Sequence, residues 1–352
     1  MTIACVIAAT LSFSLTTILV PVVIRASRRW GLFDPPGPLK IHSHPVSRLG
    51  GVAVAAAIAA AVLVAAPKTA SGRWTFLAAL GIVWLAGVVD DLRGLSIAVR
   101  LAAQCVAGIV LWRGGWFAPR AVPGGLAAIA AALLVVTFAN SWNFWDGSDG
   151  LASGVTGIIA IAYAFLFLVR RDPLGAVVAF GVAAACAGFL PRNWPPARAF
   201  LGDSGATALG VCAAFLSLDW WRSHSATGAQ MLAPLLISAL PLLDAAVVIT
   251  RRVVRGHSAF KGDRTHLYDA WLERDWSPRR VAFACCAITA AFAAIAIWGA
   301  LRDSPLFRVT AVASLSLFVL WRLTVGSQRG RSAAPPDGAH AIVTEKEPVT
   351  AD

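Results

Sequence analysis

Carboxylates and carboxamides recur in this chain where an otherwise apolar sequence should exclude them. The segment NSWNFWDGSDGLASG, residues 140–154, places Asn140, Asn143, Asp146 and Asp149 at every third position. On a helix that spacing drifts by about 60° per step, so the four share one broad face. Gly147 and Gly150 let the backbone turn and approach a ligand closely. The segment holds no Lys or Arg to neutralise Asp146 and Asp149. Oxygen donors without basic neighbours suit a divalent cation, a base edge or sugar hydroxyls. A polar capping turn is the plainer account.

Four other blocks carry similar chemistry. VVDDLRGLS, residues 88–96, ends an apolar stretch with the adjacent carboxylates Asp90 and Asp91. Such a pair repels unless a cation sits between its members or one takes a proton. It suits metal or phosphate handling, or it ends a helix and pairs with Arg93 or Arg100. FLGDSGATALG, residues 200–210, sets Asp203 between Gly202 and Gly205 where another apolar stretch starts. A helix N-terminus there is an anion cradle, and Asp203 can bring a hard cation to the same place. A simple N-cap is the alternative. RRVVRGHSAFKGDRTHLYDAWLERDWSPRR, residues 251–280, contains the polar knot Asp263, Arg264 and His266, with basic residues able to hold phosphate. Asp244 precedes it by two turns. The flanking Arg251, Arg252, Arg279 and Arg280 need no more than membrane orientation to explain them. KIHSHPVSRLGG, residues 40–51, adds Lys40, His42, His44 and Arg48.

The elements that must position these blocks are membrane helices. Apolar residues make up 58% of the 352 residues and charged residues 14%; a soluble chain carries about 25% charged. About eleven apolar stretches cover roughly 2–24, 50–66, 74–89, 99–112, 122–139, 151–169, 174–190, 205–221, 229–249, 281–300 and 306–323. Each approaches the ~20 residues needed to cross a bilayer. The expected fold is all-α, a polytopic integral membrane protein of 10–11 transmembrane helices, forming one domain over 1–325. Residues 326–352 turn polar and read as a disordered tail. All six cysteines fall within apolar stretches, without zinc or disulfide spacing.

Orientation follows from charge. Of 30 Lys and Arg, 21 fall in the odd-numbered loops and the tail, which places that side in the cytoplasm. Only Asp172, Asp219 and Asp303 of the 18 acids lie in or beside even-numbered loops. Acids gathered on a basic face suggest a site with its own cation, built from cytoplasmic loops. The net charge of +12 also favours anionic headgroups and a phosphorylated substrate. No nucleic-acid module, P-loop or dinucleotide fingerprint is present.

Taken together, the blocks resemble the polyprenyl-phosphate N-acetylhexosamine-1-phosphate transferases. The resemblance runs from about Lys40 to Arg280 in family order and is strongest in NSWNFWDGSDGLASG and FLGDSG. It implies attack of a lipid phosphate on the β-phosphorus of a UDP-HexNAc, with Mg²⁺ or Mn²⁺, yielding polyprenyl-diphospho-HexNAc and UMP. The implied setting is the bacterial inner membrane, and a homodimer is compatible. Asp90 and Asp91 match the acidic pair beside the lipid phosphate, with Asp90 the usual proton acceptor. Asn143, Asp146 and Asp149 match the nucleotide-sugar and catalytic loop. Asp203 matches the metal ligand, with Asp149 a second candidate, and His266 matches the first histidine of the family motif. Lys40, Arg48, Asn140, Asp263 and Arg264 complete the expected substrate contacts. Tyr268 and Asp269 stand where many members carry further histidines, which favours a GlcNAc-1-phosphate transferase over lipid I synthase. A transporter or flippase is the competing reading, but such proteins place polar residues near mid-membrane on repeated, broken helices.

Overall fold

The computed structural model describes residues 1–34, 45–70, 72–116, 123–222, 228–259, 264–302 and 305–325. Helices dominate. In chain order they are α1 (Thr2–Trp30), α2 (Gly50–Ala65), α3 (Gly72–Arg93), α4 (Ile97–Arg113), α5 (Gly124–Trp145), α6 (Leu151–Arg170) and α7 (Pro173–Asn193). There follow α8 (Gly202–Arg222), α9 (Gly228–Ile237), α10 (Ala239–Val254), α11 (Leu267–Leu272), α12 (Pro278–Arg302) and α13 (Pro305–Val325). A short antiparallel pair, β1 (Phe33–Asp34) and β2 (Val46–Ser47), lies between α1 and α2.

Helix lies over each of the eleven apolar stretches. Six helices are long and apolar enough to cross a membrane by length and composition, or seven if the bent pair α9–α10 counts as one span. The pair bends by 72°. Pro241, in the first turn of α10, has no amide to return to the Ile237 carbonyl, so the helix restarts there. Large apolar side chains such as Ile3, Leu63, Leu85, Leu133, Phe283 and Leu317 face outward. A soluble protein does not leave so much apolar surface uncovered, and lipid is the solvent that tolerates it.

Three expectations change. The acidic blocks sit on helix ends rather than in loops: α3 runs on through Asp90 and Asp91, and α5 runs through Asn143 to Trp145. The backbone ladder continues past the apolar stretch because polar side chains at a helix end cost little there. The segment between α10 and α12 contains a helix of its own, α11. Arg322, counted among the charges that set orientation although it lies within the stretch 306–323, is fully buried in α13. Lys40, His42, His44, Lys261, Asp263 and the tail 326–352 lie outside the described residues.

The core organises around α8. Every residue from Ser204 to Trp220 is buried, and α2, α3 and α5 pack against it. Backbones meet where side chains are smallest: Gly51 of α2 lies on Gly205, and Gly87 of α3 lies on Ser204. Small residues at such crossings let membrane helices approach closely. The N-terminus of α8 is thereby held among the C-terminal ends of α3 and α5 and the N-terminal end of α2.

Candidate active site

Gly202 sets the site's centre. Its φ of +66° is left-handed, and a Cβ there would meet the Arg48 carbonyl and the Asp91 carboxylate, so only glycine fits without strain. The segment before α2 is laid alongside by backbone bonds, Phe200 N–H to Ser47 at 2.8 Å and Gly50 N–H to Phe200 at 3.0 Å. Arg48 is thereby brought beside the start of α8.

The acidic pair diverges. Asp91 accepts the Asp203 N–H at 2.7 Å on one oxygen and the Ser204 N–H at 3.0 Å on the other. The anion in the cradle of α8 is therefore the protein's own carboxylate. Asp90 turns the other way, accepting the Leu95 N–H at 2.6 Å and Arg100 Nη1 at 3.0 Å. The same guanidinium nitrogen lies 3.7 Å from Asp203, so Arg100 of α4 bridges the two acids. The sequence offered Arg100 only as a partner for the acidic pair, which it is for Asp90, and not as a site residue.

The polar register of residues 140–149 holds only as far as the helix does. Asn140 donates to Gln104 Oε1 at 2.7 Å and to its own helix at Val136. Asn143 lies one turn on. Asp146 ends α5 as its C-cap and accepts the Gly202 N–H. Burial, then the carboxylates of Asp203 and Asp91, push Asp146 well above the usual carboxylate range. Beyond Gly147 the chain leaves the helix, and Asp149 accepts the Ala197 N–H at 2.8 Å. Its neighbour Gly150 donates to Asn193 at 3.1 Å. Asp149 thus ties two interhelical segments together and is not among the residues lining the cavity.

That cavity, about 460 Å³, opens between the N-terminus of α8, the end of α5 and the segment around α11. Asp91, Asp146 and Asp203 line it with Asn143. Arg48, Arg252 and His266 line it as well. Arg252 is buried, with its guanidinium 5.2 Å from the Phe144 ring centre and Nη1 on the Ala259 carbonyl at 2.8 Å. Positive-inside orientation accounts for its charge, but its burial in the cavity lining is not visible in sequence. Arg264 is exposed and does not line the cavity. A narrower crevice between α3, α4, α5 and α8 shares Asn143 and Asp203 with the cavity and is lined by Asp90, Arg100, Gln104 and Asn140.

His266 caps the start of α11 at 4% exposure. Its Nδ1 is 2.8 Å from Asp244 of α10, and its ring stacks on Tyr268 at 5.2 Å with an interplanar angle of 1°. Tyr268 donates its hydroxyl to the Phe144 carbonyl at 3.0 Å, and burial raises its pKa well above that of an ordinary phenol, so it remains a donor. Asp269 accepts the His266 N–H at 3.2 Å and is pushed up to about 6, chiefly by burial.

A cavity lined by both carboxylates and guanidinium groups can hold a cation and a diphosphate together. Among the described residues no group of three or more His, Cys, Asp or Glu side chains forms a ready metal cage. Mg²⁺ does not need one: it commonly takes one or two carboxylates and completes its shell with substrate phosphates and water. Asp146 and Asp203, all-oxygen donors whose charges raise each other's cost, fit that pattern.

Residues 73–220 match glycosyl transferase family 4. The chain is 33% identical over 298 residues to the decaprenyl-phosphate N-acetylglucosaminephosphotransferase of Mycobacterium tuberculosis, covering 74% of each chain. It is 29% identical over 266 residues to the probable undecaprenyl-phosphate N-acetylglucosaminyl 1-phosphate transferase of Bacillus subtilis, covering 72% of this chain and 74% of the relative. A phospho-N-acetylmuramoyl-pentapeptide-transferase of Moorella thermoacetica is 33% identical over 200 residues, but covers only 48% of this chain and 60% of its own. Matches that extend along most of both chains, on a helical scaffold with this cavity, place the chain in glycosyl transferase family 4, in its polyprenyl-phosphate N-acetylglucosamine-1-phosphate transferase branch.

Proposed function

We propose that this chain transfers HexNAc-1-phosphate, GlcNAc-1-phosphate first among candidates, from a UDP-sugar to a polyprenyl phosphate. The observation that carries this reading is the 460 Å³ cavity lined both by the carboxylates of Asp91, Asp146 and Asp203 and by Arg48, Arg252 and His266. An oxygen of the lipid phosphate attacks the β-phosphorus of the donor. The bond from that phosphorus to the bridging oxygen breaks, and UMP leaves with the electron pair. Phosphoryl transfer of this kind asks the protein mainly for alignment and charge neutralisation.

The acceptor phosphate is assigned to the crevice at Asp90 and Arg100, and the nucleotide diphosphate to the cavity. Asn143 and Asp203, which line both, stand where the reacting groups meet. Arg100 offsets charge on the acceptor, and Asp90 takes the proton of a monoanionic acceptor. Arg48 and Arg252 offset charge on the leaving diphosphate, and His266 donates to or orients it. Asp203 and Asp146 are the candidates to hold Mg²⁺ or Mn²⁺, which would withdraw charge from the diphosphate when bound. Asp91 is assigned to holding α8 in place, because both its oxygens are occupied by amides of that helix.

One membrane domain over 1–325 with eleven crossings puts this site and the tail on the cytoplasmic side of the bacterial inner membrane. What supports it is that the ends of α3, α5, α8 and α10 which carry the site lie at odd-numbered loops, and those loops together with the tail hold 21 of the 30 Lys and Arg. The broken span α9–α10 is the feature a transporter would use. Its intramembrane acid, Asp244, is already occupied by donors of its own chain, which disfavours transport.

The test is release of UMP from UDP-GlcNAc by the purified protein with undecaprenyl phosphate and Mg²⁺, with mass detection of the lipid product across a panel of UDP-HexNAc donors. A panel without lipid-linked product rejects the reading.

A further inference from the structure

We infer that Arg322, on the last helix, is a positioning residue that holds His266 at the cavity through Asp244. The inference rests on the function proposed above and adds a residue that no catalytic block contains.

Asp244 is fully buried in α10. A buried carboxylate is tolerated only when paired and hydrogen-bonded. It receives His266 Nδ1 at 2.8 Å on one oxygen, and on the other Arg322 Nε at 2.7 Å and the Leu267 N–H at 3.0 Å. Arg322, also fully buried, reaches past Asp244 and donates from Nη2 to the Thr265 carbonyl. The Arg322 carbonyl in turn accepts from Arg251 Nη2 at 2.8 Å. The Arg322–Asp244 pair therefore grips the chain at Thr265, His266 and Leu267, which are consecutive.

The consequence for the imidazole is geometric. Nδ1 is committed to Asp244, and one ring face is committed to Tyr268. His266 lines the cavity, so Nε2 is the nitrogen left for a ligand there. Fixing a histidine by a hydrogen bond to its other nitrogen is a general way of setting tautomer and aim. A buried ion pair used only for stability is readily replaced by apolar packing. Here the pair is joined to His266, the one histidine among the described residues that lines the cavity.

The experiment is a double-mutant cycle in the purified full-length chain, with hydrogen exchange as a readout independent of turnover. Arg322→Gln should lower kcat by on the order of 10–100-fold, the range for outer partners that orient a functional ligand, with KM for the UDP-sugar nearly unchanged. In a His266→Ala background the same substitution should cost nothing further, because residues acting as a unit are non-additive. Amides of 264–272 should exchange faster in Arg322→Gln, and those of 89–100 should not. If Arg322→Gln cannot be recovered folded, Arg322→Lys serves in its place: it keeps the charge but cannot span both Asp244 and Thr265. Losses that multiply in the double variant overturn the inference, as does unchanged exchange over 264–272. If the unsubstituted protein makes no UMP, the proposed reaction fails, and the exchange measurement still decides the role of Arg322.

Discussion

Asp91 on α3 accepts the amide of Asp203 on α8 at 2.7 Å, so the acid adjacent in sequence to Asp90 serves as the cap of a distant helix. Its second oxygen takes the next amide, of Ser204. Two of the N–H groups that a helix leaves unsatisfied are thus met from another helix, and a negative charge sits at the positive end of the α8 dipole. Asp90 and Asp91 are neighbours with different work.

Replacing Asp91 by Ala should therefore lower stability as well as rate. Loss of a cap costs about 0.5–2 kcal/mol, which a melt in detergent resolves as a drop in Tm. Asp91→Asn keeps one acceptor and should fall between. An Asp91→Ala protein that melts with the parent removes the capping role.

Asp203→Asn should behave in the opposite manner. Its side chain faces the cavity beside Asp146 and Arg100, where carboxylates crowd. Neutralising one relieves repulsion, so Tm should hold or rise while turnover nearly vanishes. Mg²⁺ titration reads the cause: the residual activity should need far more metal. Unchanged rate and unchanged metal requirement would exclude Asp203 as a ligand.

The helices were legible because hydropathy is a property of each stretch alone. The convergence of the acidic blocks was legible from their placement at stretch ends. What escaped were relationships that pass between helices. Nothing in VVDDLRGLS says that Asp91 will cap a helix more than a hundred residues later. The three-residue spacing to Asp149 reads as one face only if the helix continues, and it ends at Trp145. Arg252 and Arg322 look like orientation charges, because sequence cannot distinguish a buried guanidinium from one in the headgroups. Arg48, named from the basic block before α2, and His266, named from its polar knot and the resemblance to the family motif, both line the cavity.

Acid sensitivity should depend on metal. Burial and the carboxylates of Asp203 and Asp91 raise the pKa of Asp146, so the folded protein disfavours its charged form, which costs stability above the unfolded pKa and is relieved as pH falls. Metal binds only the deprotonated acid, so protons and Mg²⁺ compete. The acid limb of kcat/KM should move to lower pH as Mg²⁺ is increased. A limb fixed across a wide range of Mg²⁺ contradicts Asp146 as a ligand.

Topology can be checked by single cysteines in a chain freed of its six native ones. Ser96, Arg198 and Ser277 are exposed and lie in odd-numbered loops; Lys68 and Arg171 are exposed and lie in even-numbered ones. In intact cells an impermeant maleimide should label Lys68→Cys and Arg171→Cys only. The other three should label after the inner face is opened. Labelling of Ser96→Cys together with Lys68→Cys from outside would break the shared cytoplasmic face.

His266→Ala should cost roughly 10²-fold or more in turnover, the scale of a positioned acid–base group, while Tyr268→His should not raise activity. The second expectation follows from what Tyr268 touches. Its ring lies parallel to His266, its hydroxyl holds the Phe144 carbonyl at 3.0 Å, and a Cβ at Gly147 would press on that hydroxyl. Tyrosine thus fastens the end of α5 to the start of α11, so that the residues on either side of it, Asn143 with Asp146 and His266, keep a fixed spacing across the cavity. A histidine is too short to reach the same carbonyl from the same backbone position. It would add an imidazole but release the Phe144 contact, leaving a looser wall in place of a second donor. Tyr268→Phe isolates the hydroxyl: it keeps the stack and loses the bond, so its loss should be smaller than that of His266→Ala and should appear in kcat. A Tyr268→His protein faster than the parent would show that the contact to Phe144 does not govern the site.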